Sequence, residues 1–368
     1  MCALQVNALA SLDTLWSKRP LIISGPCSAE TRTQVTETAL RLKATGKVDM
    51  LRAGIWKPRT KPGLFEGVGR KGLPWLQEAR ELTGLPIMVE VATARQVEEA
   101  LAHQIDVLWI GARTTVNPFS VQEVADALAG VSIPVFIKNP INPDLELWAG
   151  AVERIERSGI KNIGLIHRGF STFAQTPYRN APLWHLAIEM KLRFPKLVFI
   201  NDPSHICGRR DLLGEVMQRA IDLDVDGLMI ESHIQPEQAW SDAAQQVTPE
   251  VLATLLSELI WRSEDSSSDA YHSALDQLRQ QINQLDEEVL QLLARRMQVA
   301  EQIATYKQEN NITILQAGRW QEIMERTLRR AGELQLSRTF ITQYLDALHM
   351  ESISHQQQIL DKNKPTAG

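Results

Sequence analysis

Arg52, Lys57 and Arg59, followed by Thr60, crowd the stretch 51–60. Guanidinium forks grip phosphate or carboxylate at two points, and an ammonium acts as a point charge, so these residues make a pocket for oxyanions. Pro58 removes a backbone donor and stops any strand leading into it. A solvated basic loop is the plain alternative for one such stretch. The rest of the chain argues against it, because chemically capable residues also follow seven other apolar runs. In chain order the set is Cys27; Arg52, Lys57 and Arg59; Glu90; Arg113; Lys138; His167 and Arg168; Asp202 and His205; and Glu231.

The runs themselves are 21–24, 49–53, 87–91, 107–111, 134–137, 162–166, 196–200 and 227–230. Amphipathic helical patterns lie between them, at 31–44, 74–82, 94–102, 121–128, 145–157, 183–194 and 212–221. Strands alternating with helices at this spacing predict a parallel sheet with crossover helices. Eight repeats in about 240 residues predict a closed (β/α)8 TIM barrel, whose active site lies at the C-terminal ends of its strands. All the residues above would then open on one face.

Two kinds of group meet there. Arg52, Lys57, Arg59, Arg113, Lys138 and Arg168 are too many cations for a single carboxylate. They suit two phosphorylated substrates, or one molecule with both phosphate and carboxylate. Cys27, His205, Glu231 and Asp242 offer one sulfur, one nitrogen and two oxygens, a mixture that suits manganese, iron, cobalt or zinc better than magnesium or calcium. Taken singly, Cys27 reads as a small buried hydrophobe, His205 as a hydrogen-bonded core histidine and Asp242 as a turn residue. Cys207, two residues past His205, competes as a ligand on spacing alone. Gly67-Val68-Gly69-Arg70-Lys71-Gly72 matches a dinucleotide-binding pattern, but no strand leads directly into it, so it reads as a loop or lid.

The 368 residues are too many for one ordinary core and predict two domains. Hydrophobic content of 44% and charged content of 23% are those of a globular protein in water. A net charge of -5 argues against a nucleic-acid partner. Three cysteines, Cys2, Cys27 and Cys207, give no disulfide framework and suggest a reducing compartment. Residues 1–20 read as neither signal peptide nor anchor, and no run approaches the ~20 apolar residues of a membrane helix. The expectation is a cytoplasmic protein with no membrane partner.

Residues 20–262 resemble the type I beta-like subgroup of the 3-deoxy-D-arabino-heptulosonate 7-phosphate (DAHP) synthases. The resemblance is carried by Gly25-Pro26-Cys27-Ser28, Leu51-Arg52 through Lys57-Pro58-Arg59-Thr60, Ile110-Gly111-Ala112-Arg113 and Ile137-Lys138. Asp202-Pro203-Ser204-His205, Gly208-Arg209-Arg210-Asp211, Glu231-Ser232-His233 and Ser241-Asp242 complete it. It implies that Cys27, His205, Glu231 and Asp242 hold a divalent ion, manganese first, with cobalt, iron or zinc as alternatives. It implies that Arg52, Lys57, Arg113, Lys138 and Arg168 grip phosphoenolpyruvate. Arg59 and Thr60 would take the phosphate of erythrose 4-phosphate, and Glu90 would handle the attacking water. Asn139-Pro140-Ile141-Asn142-Pro143 after Lys138, and Ile206-Cys207, depart from the subgroup's usual residues. The 3-deoxy-octulosonate 8-phosphate synthases, which use arabinose 5-phosphate, are the nearest alternative; Pro58 favours the four-carbon sugar.

The first domain is expected over 1–262, a polar acidic linker over 263–270, and a small all-α domain over 271–368. Leu275, Leu278, Ile282, Leu285, Val289 and Leu292 recur at three and four, the pattern of an amphipathic helix running to about Lys307. Further helices are expected over about 318–331 and 337–360. Three helices of unequal length cannot enclose so long an apolar stripe, which predicts a dimer. Arg296 and Lys307 share a face, being eleven residues apart at ~100° per residue, whereas Arg279 is roughly 100° away. Ser352 and Gln356 are neighbours one turn apart. A solvated face with scattered charges is the plain alternative.

Residues 271–360 are similar to the all-helical chorismate mutases, through Arg279, Leu285-Asp286, Arg296, Lys307, Arg319, Ser352 and Gln356. The similarity implies an intertwined homodimer in which Arg279 reaches the partner's pocket. Arg279 and Arg296 would hold the two carboxylates of chorismate, and Lys307 and Gln356 would donate to its ether oxygen. Gln316 and Trp320 stand where that family often has acids. Two readings follow. One is a bifunctional enzyme of aromatic biosynthesis; the other is a synthase whose helical domain mainly senses chorismate or prephenate. About twenty residues precede the first strand, too few for the N-terminal regulatory domain that the similar synthases carry, so the expectation is feedback control through the helical domain.

Overall fold

The computed structural model describes residues 16–58, 63–262, 265 and 268–362. The chain divides into two compact units, Met1–Glu264 and Asp265–Gly368.

In the first unit eight parallel strands close into a barrel in chain order. They are β1 (Leu21–Gly25), β2 (Met50–Ala53), β3 (Ile87–Val91), β4 (Val107–Ile110), β5 (Val135–Lys138), β6 (Ile163–His167), β7 (Val198–Asn201) and β8 (Gly227–Glu231). Around them run α1 (Arg32–Ala44), α2 (Leu73–Thr83), α3 (Ala94–Ala102), the short α4 (Ala112–Thr115), α5 (Pro118–Ala127), α6 (Leu145–Arg157), α7 (Trp184–Arg193), the short α8 (Pro203–Cys207), α9 (Leu213–Asp222) and α10 (Pro249–Glu258). Helix starts are set locally. Thr31, Thr93, Asn117, Asp144 and Thr248 each accept a hydrogen bond from the first helical turn, satisfying donors with no partner inside the helix.

Both faces of each strand are buried, as a parallel barrel requires. Ile22, Leu51, Val89 and Leu108 face the helix layer, and Leu21, Ile23, Met50, Met88, Trp109, Phe136, Ile166, Ile200 and Met229 fill the interior. Gly164 makes room for one of them: a Cβ there would lie 2.3 Å from the Phe136 ring. Trp16 packs on Phe136 from below, with ring centroids 4.9 Å apart.

This alternation places the chemistry. Side chains two apart on a strand share a face. The interior residues Met50, Met88, Phe136, Ile166, Ile200 and Met229 are therefore followed, two positions on, by Arg52, Glu90, Lys138, Arg168, Asp202 and Glu231. Strand register brings these ends level, with Gly25 opposite Glu231, Glu90 opposite Trp109 and Lys138 opposite Ile166. Among the described residues no strand leads directly into Gly67–Gly72: Gly69 N–H donates to Ile55 O, and a short 3₁₀ turn, Gly69–Gly72, leads into α2.

The second unit holds α11 (Asp269–Glu309), α12 (Ala317–Glu333) and α13 (Arg338–Lys362). Ser268 caps α11 by accepting from Tyr271 N–H. Met297, Ala300 and Ala304 form the buried stripe of α11. Ala331, Ile341 and Leu345 make a small core with Trp320, Ile323, Met324 and Leu328. Toward the start of α11 the apolar stripe stays open, with Leu278, Ile282, Leu285 and Leu292 all more than half exposed. No helix among the described residues is long and apolar enough to cross a membrane.

Candidate active site

At the barrel's C-terminal rim Arg52, Lys57, Pro58, Glu90, Arg113, Lys138, Arg168, Arg179, His205 and Asp242 line one polar cavity. Arg52 is 2% exposed and packs its guanidinium 4.9 Å from the centre of the Trp109 ring. It donates to Glu231 Oε1 at 2.7 Å and to Cys27 O at 3.1 Å. Lys57 Nζ donates to Cys27 O at 2.8 Å and lies 2.6 Å from Cys27 Sγ. Lys138 Nζ donates to Asp202 Oδ2 at 2.8 Å. Burial pushes the Arg168 guanidinium down to about 10, helped by Arg179 and Arg113 nearby and opposed by Asp202. Glu90 fits because residue 111 is glycine, whose added Cβ would lie 1.9 Å from Glu90 Oε1.

The sulfur, nitrogen and oxygen donors stand among these cations. Cys27 Sγ lies 3.2 Å from Asp242 Oδ2, and His205 Nε2 lies 3.8 Å from Glu231 Oε1. Burial pushes the Cys27 thiol up to about 12, as does Glu231, against Lys57. Burial lowers His205 below its ordinary value, so it is neutral near pH 7. For Glu231 and Asp242 burial works to raise the pKa. The neighbouring groups, His205 when protonated and Arg52 at Glu231 and Arg179 at Asp242, nevertheless hold both below the usual carboxylate range. Among the described residues no three such donors stand in ready metal-holding geometry; each carboxylate is turned to a cation instead. The chemistry of the set still fits a borderline divalent ion: a neutral imidazole, two ionised carboxylates and a thiol whose proton a cation would displace. Asp202 Oδ2 lies 2.8 Å from His205 Nδ1, the orientation that leaves Nε2 to ligate.

Arg59 and Thr60 lie outside the described residues. Cys207 does not reach the cavity; it is buried in the apolar layer between strands and helices. His167 is also structural. It bonds to Pro182 O at 2.6 Å and Asn201 Nδ2 at 3.0 Å, and burial lowers it to about 4. Sequence reasoning missed Arg179 and Gln245. Arg179 donates to Asp242 Oδ1 and to Gln245 Oε1, each at 2.8 Å, and Gln245 Nε2 donates to Glu231 Oε2 at 2.7 Å. Both sit in long loops after strands, where no period marks them.

In the helical unit Arg296 donates to Ser352 Oγ at 2.5 Å. Gln356, one turn on, is buried, and its Oε1 has no partner among the described residues. Lys307 donates to Ile314 O, and burial lowers its pKa. Trp320 stacks on His349 with centroids 3.9 Å apart. Arg279 and Arg319 stay outside this group; each is exposed and paired with an acid on its own helix, Asp276 and Glu322.

Comparison with known proteins matches residues 16–267 to the DAHP synthetase I family and residues 278–357 to chorismate mutase type II. A phospho-2-dehydro-3-deoxyheptonate aldolase of Thermotoga maritima is 34% identical over 238 residues, 65% of this chain and 68% of that protein. A 2-dehydro-3-deoxyphosphooctonate aldolase of a Geobacter species is 28% identical over 265 residues, 66% of this chain and 91% of that protein. The crystal structure of the Thermotoga aldolase, a DAHP synthase, aligns with a TM-score of 0.57 at 34% identity over 65% of this chain and 67% of that one. A truncated form of the Thermotoga synthase aligns at 0.55, with 32% identity, over 65% of this chain and 84% of that one. The two matched regions are enzyme families, a transferase and an isomerase, and fall in the two separate units. The chain belongs to the DAHP synthetase I family and carries a type II chorismate mutase domain after its barrel.

Proposed function

We propose that the barrel condenses phosphoenolpyruvate with erythrose 4-phosphate, giving DAHP and inorganic phosphate with the aid of a divalent ion, and that the helical unit turns chorismate into prephenate. The observation that carries the first half is the meeting of Arg52, Lys57, Arg113, Lys138 and Arg168 with two ionised carboxylates and a neutral imidazole at one strand rim. Arg113, Lys138 and Arg168 grip the phosphate and carboxylate of phosphoenolpyruvate. Its C3 bonds to the aldehyde carbon, and Lys57 Nζ gives a proton to the aldehyde oxygen. Glu90 takes a proton from the water that adds at C2, and the C2–O bond then breaks as phosphate leaves. Cys27, His205, Glu231 and Asp242 would hold the ion, manganese first among manganese, cobalt, iron and zinc. Such an ion supplies Lewis-acid polarisation of the aldehyde.

In the helical unit Arg296 meets one carboxylate of chorismate, and Lys307 and Gln356 donate to the ether oxygen as its bond breaks. The buried, unpartnered Gln356 Oε1 supports a ligand there. Arg279 is too exposed to serve its own pocket, and the open stripe of α11 supports a homodimer in which it serves the partner's. Prephenate or chorismate bound in this unit would restrain the barrel's activity. The free thiols Cys27 and Cys207 support a reducing, cytoplasmic setting.

The test is phosphoenolpyruvate loss with erythrose 4-phosphate, with and without chelator, repeated with arabinose 5-phosphate. Loss with the four-carbon sugar, stopped by chelator and restored by manganese, is expected. Loss with the five-carbon sugar alone would move the barrel to the octulosonate reaction named for the Geobacter relative.

A further inference from the structure

Arg179 lies in the loop between β6 and α7, at no position where the barrel's period puts a functional group. Three observations make it more than a surface cation. First, its backbone is clipped to the segment that carries His205. Arg179 N–H donates to Cys207 O at 3.3 Å, Asn180 N–H to Ile206 O at 3.1 Å, and Asn180 Nδ2 to His205 O at 2.7 Å. Second, its aliphatic stem is seated on Gly208, where an added Cβ would lie 2.5 Å from Arg179 Cβ. Gly208 has φ of +68°, the left-handed conformation that glycine tolerates. Third, one guanidinium nitrogen serves two acceptors, Asp242 Oδ1 and Gln245 Oε1, both at 2.8 Å.

The second acceptor has a consequence. A guanidinium only donates, so the Gln245 oxygen must face Arg179 and its amide nitrogen must face Glu231. Gln245 Nε2 donates to Glu231 Oε2 at 2.7 Å, leaving Oε1 for Arg52 and the His205 side. Arg179 likewise takes Asp242 Oδ1 and leaves Oδ2 toward Cys27 Sγ, 3.2 Å away. Asp242 itself holds a left-handed backbone, φ +50°, unusual for a residue with a side chain. A group that fixes its carboxylate therefore stabilises an otherwise unfavourable turn.

We propose that Arg179 is a positioning residue of the barrel site: through its direct bond to Asp242 and its relay through Gln245 to Glu231, it sets which oxygen of each carboxylate faces Cys27 and His205, and so shapes the site for a divalent cation. The inference rests on the metal-dependent reading above and deepens it, by naming a residue that orients two of the four donors without being one.

The test uses the full chain, stripped with chelator and titrated with cobalt(II), followed by calorimetry and by the thiolate-to-cobalt absorption band that Cys27 would give. Arg179→Met keeps the stem on Gly208 and removes the fork. It should weaken cobalt binding by about 10- to 100-fold and shift the band, as losses of outer partners of metal ligands do. Arg179→Lys should restore part of the affinity, because an ammonium can donate to both acceptors but its stem is one atom shorter than the path to the guanidinium nitrogen. Gln245→Met cuts only the relay to Glu231 and should give a smaller loss; it carries the test if Arg179→Met does not fold. Cobalt affinity and band unchanged in these variants would overturn the inference alone. A raised KM for the sugar phosphate with cobalt affinity intact would overturn it too, moving Arg179 to substrate binding. Wild-type protein that binds no stoichiometric cobalt would overturn the metal reading and the inference with it.

Discussion

At the barrel rim the site cations pair with acids from other strands and loops, whereas in the helical unit two of the expected site arginines stay outside the group that Arg296 forms. At the barrel rim several charged groups meet a counter-charge or a fixed donor: Arg52 and Gln245 on Glu231, Lys138 on Asp202, Arg179 on Asp242. In the helical unit Arg296 pairs with Ser352 and His355 with Glu301 across helices, while Arg279 and Arg319 are paired with acids on their own helices. The apolar surfaces differ in the same sense. The barrel's strands are buried on both faces, whereas much of the α11 stripe is open. A parallel barrel has no free edge, so its core and its rim are set by one chain. The two shorter helices leave Leu278, Ile282, Leu285 and Leu292 of the 41-residue helix more than half exposed. In the homodimer proposed above, a second copy would cover the open stripe and receive Arg279 in its pocket.

The sharpest way to break this contrast is to charge the open stripe. Ile282→Glu together with Leu285→Glu should turn a homodimer into monomers, seen by light scattering, and abolish chorismate turnover. The barrel's consumption of phosphoenolpyruvate should survive. Monomers that keep full mutase activity would show that one chain completes that site. Arg296→Ala is the control that leaves the stripe intact. It should keep the dimer and lower the mutase kcat/KM by roughly 10- to 100-fold, the loss of one charged hydrogen bond to a substrate carboxylate of about 1.5–3 kcal/mol.

A smaller effect should appear inside the barrel, where fit and not association decides. Gly111→Ala puts a Cβ within 1.9 Å of the present Glu90 Oε1. The carboxylate must swing away, and overpacking of this kind costs about 1–3 kcal/mol. Synthase kcat should drop while the mutase rate is unchanged. If Glu90 has no role near the reacting carbon, kcat will hold and only the melting temperature of the barrel will fall.

What could be read from the chain follows the same division. The strands and their terminal residues were legible because a period of two links each interior side chain to the one that reaches the rim, as Met50 is linked to Arg52 and Phe136 to Lys138. The first of the three helices, α11, was legible from the three-and-four spacing of Leu278, Ile282, Leu285, Val289 and Leu292. Arg179 and Gln245 were not, because they reach the site through loop folding and their spacing carries no period. Cys207 looked equivalent to a ligand on spacing, yet it lies on the face of α8 turned to the apolar layer. Trp320 stood out as a departure from the mutase pattern. Its stack on His349 depends on α12 meeting α13, which spacing within one helix does not encode.

The smallest expected effects lie at the surface, and they run in opposite directions with pH in the two units. In the barrel, Arg41 on α1 holds Glu250 at the start of α10 through hydrogen bonds of 2.9 and 2.6 Å, lowering its pKa from 4.5 to about 2. A depressed carboxylate contributes stability above its unfolded pKa and loses it as pH falls toward the folded value. Arg41→Met should therefore lower the barrel's unfolding temperature at pH 6, and the difference should vanish between pH 4.5 and about 2. Both partners are well exposed, so solvent screening limits the pair to about 0–1 kcal/mol. In the helical unit, His355 on α13 faces Glu301 of α11 at 2.7 Å and Glu351 of its own helix at 3.2 Å, which raise its pKa above 6.5. A raised histidine contributes fully below the unfolded pKa and loses its contribution as pH rises through the folded one. Glu301→Gln should thus destabilise the helical unit at pH 6 and match wild type in mild alkali. Calorimetric scans that resolve the two units should show the Arg41→Met difference fading toward acid and the Glu301→Gln difference fading toward base. A Glu301→Gln difference that persists at alkaline pH would mean that this contact acts by packing and not by charge.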